Sequence, residues 1–167
     1  MGLDVYAYSK VSYRAPPRCP TCGSDEYEPA DFDCTLLRHS DWPERADGLA
    51  EGFYSYERKE HFRAGSYGGY SEWRTWLSEL AMGASPHAVW GNEAAYREHP
   101  FFELVSFSDC EGTIGPATCA KLAADFVEWR DRAQSSLPAG REYYLETYER
   151  FAAAFKHAAG AGAVVFA

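Results

Sequence analysis

Residues 100–129 read PFFELVSFSDCEGTIGPATCAKLAADFVEW. A mostly apolar run, Phe101 to Phe107, follows Pro100 and leads into a polar, glycine-containing turn. A short apolar run bounded by a proline and a turn predicts a buried strand. Pro116 predicts the first turn of a helix, where its missing N–H leaves no hydrogen bond unmade. Cys119, Leu122, Ala123, Phe126 and Trp129 then fall on one helical stripe, which predicts the buried face. Strand, acidic turn and long helix in succession form the unit against which the rest is read.

Toward the N-terminus, Leu3 to Val11 alternates, with Leu3, Val5 and Ala7 on one face and Asp4, Tyr6 and Tyr8 on the other. Period two predicts a strand, ended by Ala15-Pro16-Pro17. Residues 15–52 are polar and irregular and read as an insertion. Phe53 to Phe62 alternates again, as one strand or a hairpin arm. Residues 63–70, RAGSYGGY, predict a glycine-rich turn, with Ser71 capping the helix that carries Trp73, Trp76, Leu77 and Leu80. Gly83 and Pro86 stop that helix, and Asn92 is suited to cap a short one through Tyr96 and Arg97.

Toward the C-terminus, Leu137-Pro138-Ala139-Gly140 is a break. Tyr144, Tyr148, Phe151 and Phe155 mark a helix over 141–158, most simply by its core face. Ala163 to Phe166 predicts a last strand beside the first. The expected architecture is α+β: a single domain over residues 1–167, with a small mixed or antiparallel sheet packed with about three helices. The 15–52 insertion is expected to be irregular and held by zinc if a metal is present.

A chain of 167 residues can bury a substantial core, and 46% hydrophobic and 16% aromatic residues exclude a disordered chain. The net charge of −9 argues against non-specific binding to nucleic acid or anionic membranes. MGLDVYAYSK lacks a basic stretch ahead of an apolar run, so no signal peptide is expected. Lys156, His157 and glycines interrupt the most apolar segment, so no membrane span is expected. Five cysteines, two of them as Cys-x-x-Cys, suit a reducing cytoplasmic location better than a disulfide framework.

Cys19-Pro20-Thr21-Cys22-Gly23 resembles the knuckle of zinc-ribbon proteins, in which a tight turn faces two thiolates toward one ion. Cys34 and His39 are the nearest further ligands, giving a candidate structural zinc site of Cys19, Cys22, Cys34 and His39. The fourth ligand stays open, because no second Cys-x-x-Cys exists, and His61 or another group is the alternative to complete the site. Two free thiols or a redox pair is the equal alternative.

Ser108-Asp109-Cys110-Glu111-Gly112 is the second constellation. In an extended turn Asp109 and Glu111 share one side and Cys110 takes the other. The two carboxylates suit acid/base work with His61, and Cys110 suits a nucleophile. Asp in a turn and Glu ahead of a helix are also ordinary structural choices. The third constellation is His61, Arg63, Gly65, Ser66, Tyr67, Gly68 and Gly69. Its backbone N–H groups and cations can cradle an anion, though a plain turn between strand and helix fits the same residues. It lacks both phosphate-loop and dinucleotide spacing.

Together, MGLDVY at 1–6, GSYGGY at 65–70 and FSDCEGTIGP at 107–116 resemble a family of small bacterial and phage proteins of unassigned function. The resemblance omits the cysteine segment. It implies a single domain and no particular activity.

Three functions remain in view. The first is a small cytoplasmic binding protein with a polar cleft, between the glycine segment and the acidic turn, for a small polar or nucleotide-like ligand. The second is a hydrolase or transferase using Asp109 and Glu111 with His61, which requires His61 or Arg63 within hydrogen-bonding reach of the acidic turn. The third is a phage or defence-related interaction factor with a protein partner, which requires an exposed aromatic patch around Trp42, Phe53 and Tyr54.

Overall fold

Leu3, Val5 and Ala7 are buried to within 1% and make the first strand the spine of the molecule. The computed structural model describes residues 2–15, 34–39 and 41–167. In chain order its elements begin with β1 (Gly2–Ser9), β2 (Ser12–Arg14), β3 (Cys34–Leu37), β4 (Gly52–Ser55) and β5 (Arg58–Ser66). Then come α1 (Tyr67–Met82), α2 (Pro86–Gly91), α3 (Glu93–Tyr96), α4 (Phe102–Val105) and β6 (Gly112–Ile114). The chain ends with α5 (Pro116–Glu128), α6 (Arg130–Ser135), α7 (Tyr143–Ala158) and β7 (Ala163–Phe166).

The fold is α+β, with two antiparallel sheets. The larger has the order β5-β1-β7-β6 and the smaller β2-β4-β3. The last strand lies beside the first, as its sequence predicts, with Val5 opposite Phe166 and Tyr8 opposite Ala163.

Period two in β7 divides the molecule into layers. Val164 and Phe166 face the helices and join the main core, while Ala163 and Val165 join a smaller cluster with Leu37 of β3 and Tyr54 of β4. One face of the large sheet is thus roofed by helices, and part of the other by the small sheet. Phe151 of α7 stacks on Trp73 of α1 at 4.8 Å and meets Phe62 of β5 edge-on at 5.0 Å. Such aromatic pairs add about 0.5–1.5 kcal/mol each beyond their buried area.

Four details differ from the sequence expectation. Phe101–Phe107 is not a strand. Phe101 takes a left-handed φ of 61° and α4 follows it. Leu104 N and Val105 N donate to Phe101 O at 3.0 and 2.9 Å, and Phe101 N donates to Asp125 Oδ2 at 2.9 Å. A mostly buried, mostly apolar run satisfies helix and strand patterns alike, and the outer place in the sheet goes to β6.

Ser66, not Ser71, caps α1, accepting from Gly69 N at 3.0 Å. Strand and helix therefore meet without a loop, and Gly68 and Gly69 lie in the first helical turn. Phe53–Phe62 divides into β4 and β5, which serve different sheets. The described part of 15–52 is not irregular, since β3 pairs with β4 and a 3₁₀ turn forms at Pro43–Ala46. The expected stripe of α7 is buried, and those of α1 and α5 are buried except for Leu80, Ala123 and Trp129, which pack half-buried against the core; α2, α4 and α6 are short additions to the expected helices.

Candidate functional site: two clefts at one end of the large sheet

The register places Ser66 opposite Gly2, and Gly112 opposite Phe166, which itself faces Val5. The glycine segment and the acidic turn therefore lie toward the same end of the sheet. They sit on its two outer strands, however, three strand spacings or roughly 14 Å apart laterally. They open into separate clefts that share no lining residue.

The first cleft belongs to the β5–α1 junction. Arg63, Gly65, Ser66 and Gly69 line a volume of about 390 Å³, closed from the other side by Tyr143, Glu146, Thr147 and Arg150 at the start of α7. Gly65 has φ 117°, a conformation that excludes most side chains. Arg63 Nη1 donates to Asp4 Oδ2 at 3.4 Å, and Arg150 pairs with Glu146 one turn earlier on its helix. Of the remaining predicted ligand-binding residues, Tyr67 packs against the core and Gly68 is exposed, with open space where a side chain would be.

The second cleft, about 470 Å³, lies between the small sheet and the acidic turn. Cys34, Thr35 and Arg38 line one side, and Cys110, Glu111 and Gly112 the other. Thr113 Oγ1 donates to Arg38 O at 2.7 Å and holds the two sides together. Ser108 organises the turn: its Oγ accepts from Cys110 N at 3.2 Å and Glu111 N at 3.1 Å, and lies 3.5 Å from Cys110 Sγ. The segment is thus curled, not extended. Cys110 and Glu111 share the cleft, while Asp109 does not line it, so the expected grouping of Asp109 with Glu111 does not hold there.

Asp109 instead faces Arg74 of α1, whose Nη2 is 3.8 Å from Asp109 Oδ2 and whose Nη1 donates to Phe107 O at 2.9 Å. Arg74 is only 4% exposed and lies over the rings of Tyr70 and Trp90. Comparison of the chain with protein-family models, curated proteins and solved structures finds no match.

His61 pairs with Asp4, Nε2 to Oδ1 at 3.3 Å, on the outer strand opposite β6. The structure therefore brings His61 and Arg63 together at Asp4, and does not bring His61 to Asp109, Cys110 or Glu111. The aromatics considered for a partner surface are not an exposed patch. Tyr54 is 4% exposed, Trp42 packs on Phe107 at 6.0 Å, and Phe53 lines the second cleft. The exposed apolar side chain beside them is Tyr13, 58% exposed and edge-on to Tyr54 at 5.6 Å, while Val127 lies beside Ala123 and Ala152 in a groove between α5 and α7.

Of the expected metal ligands, Cys19 and Cys22 lie outside the described residues. Cys34 is half-buried at the start of β3. His39 donates its backbone N–H to Glu51 Oε1 and its Nε2–H to Leu49 O, both at 2.7 Å. Among the described residues no three His, Cys, Asp or Glu side chains converge on one point suited to an ion. Cys34, Cys110 and Cys119 are free thiols. Cys119 is fully buried and its burial pushes its titration far upward, so it is inert. No helix among the described residues is long and apolar enough to cross a membrane.

Sequence reasoning passed over Arg74, Asp4, Thr147 and Arg150. For Arg74 a signal existed: with Tyr70, Trp73 and Leu77 it falls at i, i+3, i+4 and i+7, so a cation sits inside the apolar stripe of α1.

Proposed function

We propose that the chain is a small cytoplasmic binding protein for a small polar or nucleotide-like ligand, held at the β5–α1 junction. The observation that carries this reading is the joint lining of one cleft by Arg63, Gly65, Ser66 and Gly69 and, from α7, by Thr147 and Arg150. A volume of about 390 Å³ suits a small molecule. The first turn of the 16-residue α1 opens there, and its aligned N–H groups favour an anion.

Arg63 meets Asp4 only at 3.4 Å, near the limit of a hydrogen bond, so an anionic oxygen can compete for its guanidinium. Arg150 is 47% exposed at the side chain and can turn from Glu146 in the same way. Tyr143, 41% exposed at the rim, offers a flat apolar face for a base or sugar. The free thiols of Cys34, Cys110 and Cys119 suit a reducing compartment.

The test is thermal unfolding of the full chain against orthophosphate, nucleoside mono- and diphosphates and sugar phosphates. A true ligand at a hundred times its dissociation constant stabilises the fold by about 2.7 kcal/mol. That gain should vanish when Arg63→Gln and Arg150→Gln are combined. A panel without effect, or an equal gain in the double variant, contradicts the reading.

A further inference from the structure

We propose that two copies of this chain dock face to face over the groove between α5 and α7, as a weak two-fold dimer. Ala123, Ala124 and Val127 form one wall of the groove, and Ala152 and Ala153 the other. It holds about 620 Å³, more than either cleft described above. Val127 is 76% exposed, the most exposed large apolar side chain among the described residues. A β-branched side chain in water adds nothing to a helix, and an apolar patch on a surface marks a place where a partner excludes solvent.

The charges around the groove select that partner. Ile114, just ahead of α5, lies opposite Val164, just after α7, and Arg130, just past α5, pairs with Glu149 at 2.6 Å. The two helices therefore run antiparallel. Glu128 and Glu149 then sit at one end of the groove and Lys156 at the other. Glu149 is already paired with Arg130, whereas Lys156 and Glu128 have no ion-pair partner among the described residues.

A second copy, turned by a two-fold axis lying across the groove, brings Lys156 of each chain to the acidic end of the other, beside the partner's Glu128. The same rotation opposes the dipoles of the two α7 helices. The small side chains of Ala152 and Ala153 let the faces approach, and Val127 of each copy fills the groove of the other. Knob, groove and both signs of charge lie on one face, as a self-complementary two-fold interface requires. A uniformly acidic or basic partner would meet like charge at one end.

The size of the face sets the strength. α7 has 16 residues and is about 24 Å long, and two helices side by side span about 20 Å. Each copy therefore offers about 500 Å², on the order of 1,000 Å² in all, the low end of specific interfaces. Such a dimer parts on dilution.

The experiment is sedimentation equilibrium of the full chain between about 1 and 500 μM, where a weak dimer forms by mass action. It is repeated on Val127→Glu, Lys156→Glu, Glu128→Lys and the last two combined. Unfolding midpoints at the lowest concentration confirm that each variant folds. The mass should rise from one chain toward two and stop there. Val127→Glu should weaken association by about tenfold or more and keep its fold, because the side chain is exposed and Glu is the better helix former. Lys156→Glu and Glu128→Lys should each weaken it, and the double variant should associate more tightly than either one.

A wild-type chain that stays monomeric throughout leaves the groove to some other partner and overturns the proposal. So does a dimer that Val127→Glu leaves at full strength, a mass that keeps growing past two chains, or a double variant no tighter than its singles. None of these outcomes bears on the ligand cleft at Arg63 and Arg150, which shares no residue with the groove.

Discussion

Arg74 reaches from the middle of α1 to Asp109, its Nη2 3.8 Å from the carboxylate, while its other arm holds Phe107 O at 2.9 Å. The guanidinium is buried and the carboxylate about half exposed. The two partners are therefore unequal. Arg74→Ala removes a packed side chain and leaves Phe107 O without its donor, at a cost of about 2–4 kcal/mol. Asp109→Asn weakens one long, partly solvated pair, at a cost of about 1 kcal/mol or less. Urea denaturation of both variants measures the ratio; equal losses contradict the assignment. Binding at Arg63 and Arg150 should survive Asp109→Asn, since Asp109 lines neither cleft.

Gly115 and Gly68 should respond to alanine in opposite directions. A Cβ on Gly115 would lie 2.3 Å from Ala46 O and 2.6 Å from Ala46 C, where the 3₁₀ turn accepts the Gly115 N–H at Arg45 O. Both obstacles are backbone, so Gly115→Ala costs about 2 kcal/mol or more. Nothing lies within 4 Å of a Cβ on Gly68, in the first turn of α1. Gly68→Ala stabilises by about 0.5–1 kcal/mol. Unfolding midpoints decide both signs.

Alkaline pH should unfold the chain through buried phenols. Burial raises the titration of Tyr70 and of Tyr148 above the ordinary value of 10.0. Tyr148 also donates its hydroxyl to Phe126 O at 2.8 Å, a bond the phenolate cannot make. The neutral phenol is the form the fold prefers, so this stability is complete below pH 10.0 and falls as pH rises beyond it. Each such tyrosine removes about 1.4 kcal/mol per pH unit until its folded-state value is reached. Ultraviolet titration should show phenols that ionise only as the far-ultraviolet signal collapses. Tyr70 Oη is buried without a hydrogen-bond partner, so Tyr70→Phe should be neutral or stabilising by up to about 1 kcal/mol. A clear loss of stability in that variant contradicts the orphaned hydroxyl.

Periodicity and breakers made the ends of the chain legible. The 3-5-7 alternation of β1, proline at the start of α5, the aromatic stripe of α7 and a final strand beside the first all appear in the structure. What failed was local pattern under near-complete burial. Phe101–Phe107 is mostly apolar, with Glu103 and Ser106 its only polar residues, so no clean period separates strand from helix. The assignment of Tyr54 and Phe53 to a second sheet depends on pairing with Cys34–Leu37, a long-range fact with no local signature.

Within the candidate sites, the glycine segment was recognisable because Arg63, Gly65, Ser66 and Gly69 are adjacent in sequence. Its other half, Thr147 and Arg150, lies about eighty residues away on α7 and carries no motif. The acidic turn was found for its density of reactive groups. Its side-chain directions were misjudged because Ser108 curls the backbone that an extended reading keeps straight.

The most direct measurement is a backbone-amide NMR titration of the full chain with orthophosphate and a nucleoside monophosphate. A ligand in the first cleft should perturb Gly65, Ser66, Gly68 and Gly69 together with Thr147 and Arg150, saturably, and leave Cys110 and Gly112 still. Saturable shifts confined to Cys110, Glu111 and Gly112, or none at the β5–α1 junction at any ligand concentration, would contradict a binding site there.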